Sequence, residues 1–225
     1  MELNVFESSD SALGQRLSLA LSHRPRRFKS RMAPALAYGR HRGPPRDDSR
    51  IAAVLIGLYQ IDGHWAIPLT MRPPSLQHHG GQICLPGGRI EEGESPFEAA
   101  LREYEEELGV SPTVQINCGE LSQQYVFGSD NKVHPVVVTT ERPSNKWRPD
   151  PNEVAEVILL PLSTLADART RTTTWHSKQV RQDAKEIATL RFSAPAIRHG
   201  EYRIWGATAM ILDELAQILQ SLDGD

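Results

Sequence analysis

Between Gly88 and Val110 the chain reads GRIEEGESPFEAALREYEEELGV, and this stretch fixes one helix together with what that helix has to face. Ser95-Pro96-Phe97-Glu98 sets a serine at the N-cap, proline at the first helical position and glutamate at N3, the residues of a capping box. The helix is predicted to run from about Pro96 to Leu108, with Gly109 placed to end it in a left-handed conformation. Glu103 stands three residues before Glu106 and four before Glu107, so the three carboxylates share one face, with Cβ atoms roughly 5–6 Å apart. Arg102 lies one turn before Glu106 and can orient it. Like charges at this spacing repel by a few tenths of a kcal/mol per pair. A hard divalent cation removes that cost, and magnesium suits the pattern because it binds through a few carboxylate oxygens and fills its shell with waters and phosphates. Three glutamates alone would read more simply as a solvated acidic face; the glycine loop, Glu94 and Arg102 at fixed offsets argue against that.

Gly88, Glu94, Arg102, Glu103, Glu106, Glu107 and Gly109 fit the pattern G-x5-E-x7-R-E-U-x-E-E-x-G-U, where U is bulky and apolar or aromatic, here Tyr104 and Val110. The segment resembles the Nudix box. The resemblance implies diphosphate chemistry supported by Mg2+ or Mn2+, with Glu103 and Glu107 as main metal ligands and Glu106 as a third for a second ion. Glu94 and Arg102 complete the implied catalytic set as orienting residues. Ahead of the helix, Pro86-Gly87-Gly88 has little side-chain bulk, so its amides and carbonyls can approach a phosphate or a metal closely. In the family a glycine carbonyl here joins the metal shell.

Upstream, LTMRPPSLQHHGGQICLPGG from Leu69 to Gly88 is similar to the signature of the coenzyme A pyrophosphatase branch of Nudix hydrolases. Leu69, Thr70, Arg72, Leu76, His79, Gly81, Gln82, Pro86, Gly87 and Gly88 fall on its positions; Gln77 replaces a usual arginine and Leu85 a usual phenylalanine. Arg72, His79, Gln82, Gly87 and Gly88 are the expected substrate-binding residues. A guanidinium at Arg72 suits forked contact with phosphate oxygens, and His79 with Gln82 supplies hydrogen bonding, although a structural loop role stays open for each. Further matching pieces are VHPVV from Val133, NEVAEV from Asn152 with LPL from Leu160, and IWGATAMIL from Ile204. Glu153 and Glu156 are the candidates outside the box for positioning water or adding a metal ligand, and they join Glu106 as candidates for the general base.

The rest of the chain divides into an extension, residues 1–50, and a catalytic domain, residues 51–225. Leu13, Leu17 and Leu21 mark a short amphipathic helix over Ser11–Leu21. His23 to Arg50 then holds nine Lys or Arg against two Asp, punctuated by prolines, and reads as a solvated arm without which a chain starting near Arg46 still folds. Strands are expected at Ile51–Tyr59 and Trp65–Met71 about an Asp62-Gly63 turn, and at Val114–Cys118, Leu121–Phe127, Val133–Thr139 and Val154–Leu160. Tyr202 to Leu222 reads as a closing helix. The order of elements fits an α/β fold, a mixed sheet between helices, which the resemblance sharpens to a Nudix-type α/β/α sandwich. Net charge of -3 gives no global field for nucleic acid, Cys84 and Cys118 make no disulfide framework, and no apolar run spans a membrane. A cytoplasmic protein is expected, with a homodimer left open. The resemblance implies cleavage of coenzyme A or acyl-CoA, a small nucleotide substrate; ADP-ribose or dinucleotide cleavage and a non-catalytic nucleotide sensor are the alternatives.

Overall fold

A computed structural model describes residues 10–23, 28, 30–35, 45–76, 80–144, 146–182 and 185–223. Its elements are α1 (Asp10–Ser22), β1 (Arg50–Ile61), β2 (His64–Met71), β3 (Ile83–Cys84), β4 (Gly87–Arg89), α2 (Pro96–Leu108), β5 (Val114–Glu120), β6 (Gln124–Val126), β7 (Asn131–Thr140), β8 (Glu156–Pro161), α3 (Leu162–Ala166), β9 (Arg171–Gln182), β10 (Lys185–His199), β11 (Tyr202–Trp205) and α4 (Gly206–Asp223). The caps expected of α2 are made. Ser95 Oγ accepts from the Glu98 amide at 3.3 Å while the Glu98 carboxylate accepts from the Ser95 amide at 2.8 Å, and Gly109 closes the helix at φ 66°.

β1 is the axis of the main sheet. Asp62 and Gly63 both take positive φ, 51° and 81°, as a two-residue hairpin turn of the primed kind requires, and they fold β2 back on β1 from Ile61↔His64. The other edge of β1 pairs in parallel with β7 from Arg50↔Asn131 to Leu58↔Thr139, so the sheet is mixed. Lower on its first edge, β1 leaves β2 and pairs with β4 at Ala52↔Arg89 and Val54↔Gly87. The gap where β2 and β4 part becomes the site.

Side-chain alternation assigns the two layers. Ala53 and Leu55 of β1 with Val136 and Val138 of β7 bury against Ala99, Ala100, Tyr104 and Leu108 of α2. Ile56 and Leu58 face the other way, into a core closed by Leu212, Leu215 and Leu219 of α4. This is the α/β/α layering expected.

Three readings change. The extension, expected to be dispensable to folding, sends its helix into the main core: Leu13 and Leu17 are fully buried there, worth roughly 1.5–3 kcal/mol each. A Cβ on Gly14 would lie 2.8 Å from Ile116 of β5, and Arg16 donates to the Leu222 carbonyl at the end of α4. Ser30 donates to Asp213 of α4 at 3.0 Å and Met32 is buried beside it, so part of the basic arm is also held; its residues 24–27, 29 and 36–44 lie outside the described residues. Second, β9, β10 and β11 form an antiparallel sheet of their own that the sequence did not announce. Arg171–Gln182 reads RTTTWHSKQVRQ, with no apolar alternation to signal a half-buried strand. Third, Ile204 and Trp205 lie on β11, registered with Ile197 and Ala196; α4 begins only at Gly206, whose φ of 70° breaks the chain direction.

Candidate active site

Arg102 is the hub of the acidic helix face. Its Nε donates to Glu94 Oε1 at 2.7 Å and Nη2 to Glu94 Oε2 at 3.0 Å, a forked pair, while Nη1 reaches Glu103 at 3.0 Å and Glu106 at 3.1 Å. Nη2 also holds the Arg89 carbonyl at 2.9 Å, which fixes β4 to α2. Hydrogen bonding to this guanidinium depresses the Glu94 carboxyl to about 2, and the bonds to Glu94 raise Arg102 in turn.

Glu107 is the other pole. It is 6% exposed, and its one side-chain donor among the described residues is Thr70 Oγ1 of β2, at 3.2 Å. Burial pushes its carboxyl up to about 7, and burial also raises Glu103. Both charges are held where solvent stabilises them less than in water, Glu107 more so than the partly buried Glu103. Gly88 gives the room this needs, since a Cβ there would lie 2.4 Å from the Glu103 carboxylate. Gly87 is more constrained: its Cβ would meet the Ala53 carbonyl at 2.3 Å.

Glu107 opens onto a cleft of ≈ 430 Å³ on the face of the sheet away from α2. Val54 and Gly87 floor its inner end, and Ala207, Thr208 and Ile211 of α4 roof it. Arg72, just past the end of β2, lines this end too, and its buried Nε has no hydrogen-bond partner among the described residues. A buried donor left without a partner costs about 1–3 kcal/mol, which a bound acceptor relieves. Cys84 stands beside it, its thiol pushed up to about 11 by burial, a wall rather than a nucleophile.

The geometry thus brings together Arg72, Gly87, Gly88, Glu94, Arg102, Glu103, Glu106 and Glu107. Gln82 takes part through its backbone: its carbonyl accepts from the Arg72 amide at 3.0 Å and closes the base of the intervening loop. His79, with Gln77, lies outside the described residues. Glu106 is turned to Arg102 and its side chain is 57% exposed, and no three His, Cys, Asp or Glu among the described residues form a metal-holding group by themselves. The donor set still fits a hard cation. It is all oxygen, and the two carboxylates that burial disfavours as anions, Glu103 and Glu107, are the two a positive ion would relieve. Of the acids outside the helix, exposed Glu153 acts electrostatically on both, whereas Glu156 accepts a hydrogen bond from Tyr202 of β11. Sequence reasoning counted Arg50 only within the basic arm and assigned no role to Arg89 or Asn131; all three line the outer end of the cleft, and the spacing of Arg50 with Ala52 and Val54 was the available signal. No helix among the described residues is long and apolar enough to cross a membrane.

Comparison with known proteins gives the family of the chain. The NUDIX domain model matches residues 48–182. Nudix hydrolase 3 of Caenorhabditis elegans is 30% identical over 180 residues, covering 77% of this chain and 75% of that protein. The mitochondrial coenzyme A diphosphatase NUDT8 of Homo sapiens is 29% identical over 170 residues, 75% of this chain and 69% of its own. The peroxisomal coenzyme A diphosphatase NUDT7 of Mus musculus is 29% identical over 169 residues, with 74% and 69% covered. With an uninterrupted acidic helix, its glycine turn and a domain match over more than half of its length, the chain belongs to the Nudix hydrolase family.

Proposed function

We propose that this chain hydrolyses the diphosphate bond of coenzyme A or of an acyl derivative, giving 4'-phosphopantetheine or its acyl form and adenosine 3',5'-bisphosphate. The observation that carries the reading is one cleft end shared by Arg72, with a buried Nε unpaired among the described residues, the Gly87-Gly88 turn and the buried Glu107. Arg72, Gly87 and Gly88 belong to the coenzyme A signature, and two relatives are named coenzyme A diphosphatases. Glu103 and Glu107 would hold Mg2+ or Mn2+, and Glu106 a second ion once turned away from Arg102. When bound, the metal neutralises diphosphate oxygens and lowers the pKa of the attacking water.

The protein's own groups do the remainder. Arg72 forks onto the phosphate oxygens, and the glycine turn lets them come close. Arg102 and Glu94 hold Glu103 in place. Glu153, exposed and acting electrostatically on both Glu103 and Glu107, is assigned as the base. It takes a proton from water as the water oxygen bonds to phosphorus; the bond from that phosphorus to the bridging oxygen breaks, and the electron pair leaves on the departing phosphate. Offering coenzyme A, ADP-ribose and diadenosine polyphosphates with Mg2+ or Mn2+ and separating the products tests the reading. Coenzyme A is expected to give the two named products fastest. Rapid cleavage of ADP-ribose or a dinucleotide with coenzyme A left intact would replace this reading, and binding without any cleavage would make the chain a sensor.

A further inference from the structure

The outer end of the cleft carries two guanidiniums that splitting a diphosphate leaves unused. Arg50, Ala52 and Val54 alternate along β1 and share the sheet face that floors the cleft, while Arg89 stands opposite Ala52 on β4 and Asn131 beside Arg50 on β7. At about 3.3 Å per residue, Ala52 lies about 7 Å and Arg50 about 13 Å along β1 from Val54, the residue registered with Gly87. Among the described residues neither guanidinium has an ion pair or a side-chain hydrogen bond. The acid nearest in effect, Asp130, already accepts from Ser49 and Tyr125, and Arg50 acts on it only as a neighbouring charge. Two exposed cations on one face of the cleft, with no paired carboxylate among the described residues, can meet an anion there.

We propose that Arg50 and Arg89 form a second anion subsite, which takes a phosphate monoester on the substrate's ribose remote from the diphosphate being split. The proposal rests on the diphosphatase reading and narrows its substrate class to nucleoside diphosphate derivatives with one phosphate more. Arg89 follows Gly88 directly, so the subsite begins where the diphosphate site ends. Coenzyme A carries such a group on its 3' oxygen; dephospho-coenzyme A and ADP-ribose do not.

The test compares kcat/KM for coenzyme A and dephospho-coenzyme A on the wild type, Arg50→Gln, Arg89→Gln and the double variant. In parallel, calorimetry with magnesium present measures binding of adenosine 3',5'-bisphosphate and of 5'-AMP. Charge-assisted contacts of this type are worth roughly ten- to a hundredfold, so the wild type should favour the 3'-phosphorylated member of each pair by about that factor. The double variant should bring both ratios to within a few-fold, mainly through loss on the phosphorylated member. An Arg50→Lys, Arg89→Lys pair should keep more of the preference than the glutamine pair, which separates charge from packing. The subsite is refuted by a preference that survives in the glutamine double variant, or by a loss shared equally between the members of each pair. A wild type that cleaves neither form of coenzyme A defeats the substrate reading instead. The calorimetric ratio then decides the subsite alone: a bisphosphate preference that the double variant abolishes upholds it, and equal binding of the two nucleotides overturns it.

Discussion

At Glu107 stability and chemistry oppose each other. The carboxylate is wanted ionised for a metal, and the fold holds it where ionisation is disfavoured. A glutamate in the unfolded chain titrates near ~4.3, whereas folded Glu107 titrates at about 7. Between those values the folded chain holds the extra proton, so the stability of the metal-free protein should fall as pH rises through the window and level off above it. Thermal melts in chelator across this range check the sign, and Glu107→Gln should flatten that part of the profile and raise Tm above neutrality. The same variant should lose kcat on the order of a hundredfold or more, as an electrostatic group at a reacting centre does. A near-normal turnover with magnesium would remove Glu107 from the site. Gly88→Ala makes a second residue-scale case. Its methyl meets the movable end of Glu103 rather than backbone, so the variant should fold with a Tm close to wild type yet need a higher metal concentration for half-maximal activity, read from a magnesium titration.

Among the elements, α1 is the amphipathic helix expected, and its burial makes the extension part of the fold. Leu17→Ala should cost roughly 2–5 kcal/mol, as a leucine emptied from a closed core does, and a chain starting at Arg46 should melt far below the full chain or fail to fold; urea titrations check both. α2 was legible in full because its signals are local: Ser95, Pro96, Glu98 and Gly109 act on backbone groups within a turn of themselves. β1, β2 and their turn were legible through apolar runs and the Asp62-Gly63 dipeptide, whose two residues do take positive φ. The burial of α1 was not, since a stripe of three leucines shows that a helix has an apolar face and leaves open what covers it. The boundary between β11 and α4 was hidden because Ile204 and Trp205 continue the apolar spacing of the helix backward, and only the φ of Gly206 marks the break. In the site, Glu103, Glu107 and Arg72 followed from motif spacing. Arg50 and Arg89 did not, because their convergence depends on a ladder between strands far apart in sequence.

For the whole molecule, a net charge of -3 coexists with a cleft that three guanidiniums and one carboxylate line. Attraction of an anionic substrate is therefore local, and it should be salt-sensitive. As the Debye length shrinks from about 10 Å at 0.1 M toward about 3 Å at 1 M, kcat/KM should fall several-fold through KM with kcat nearly constant. Initial rates across a salt series check this, and the Arg50→Gln, Arg89→Gln double variant should show the shallower slope. The packing of α1 also bears on how the protein is made. Arg16 and the Leu222 carbonyl that it holds are separated by 206 positions, and α4, which shares a core with Leu13 and Leu17, is made only after all the strands between them. At roughly 5–20 residues per second, translation leaves an interval of roughly 10–40 s between the two. Throughout it the first helix has emerged with an oily stripe and no finished seat, which makes the nascent chain, rather than the mature enzyme, the form most in need of a chaperone.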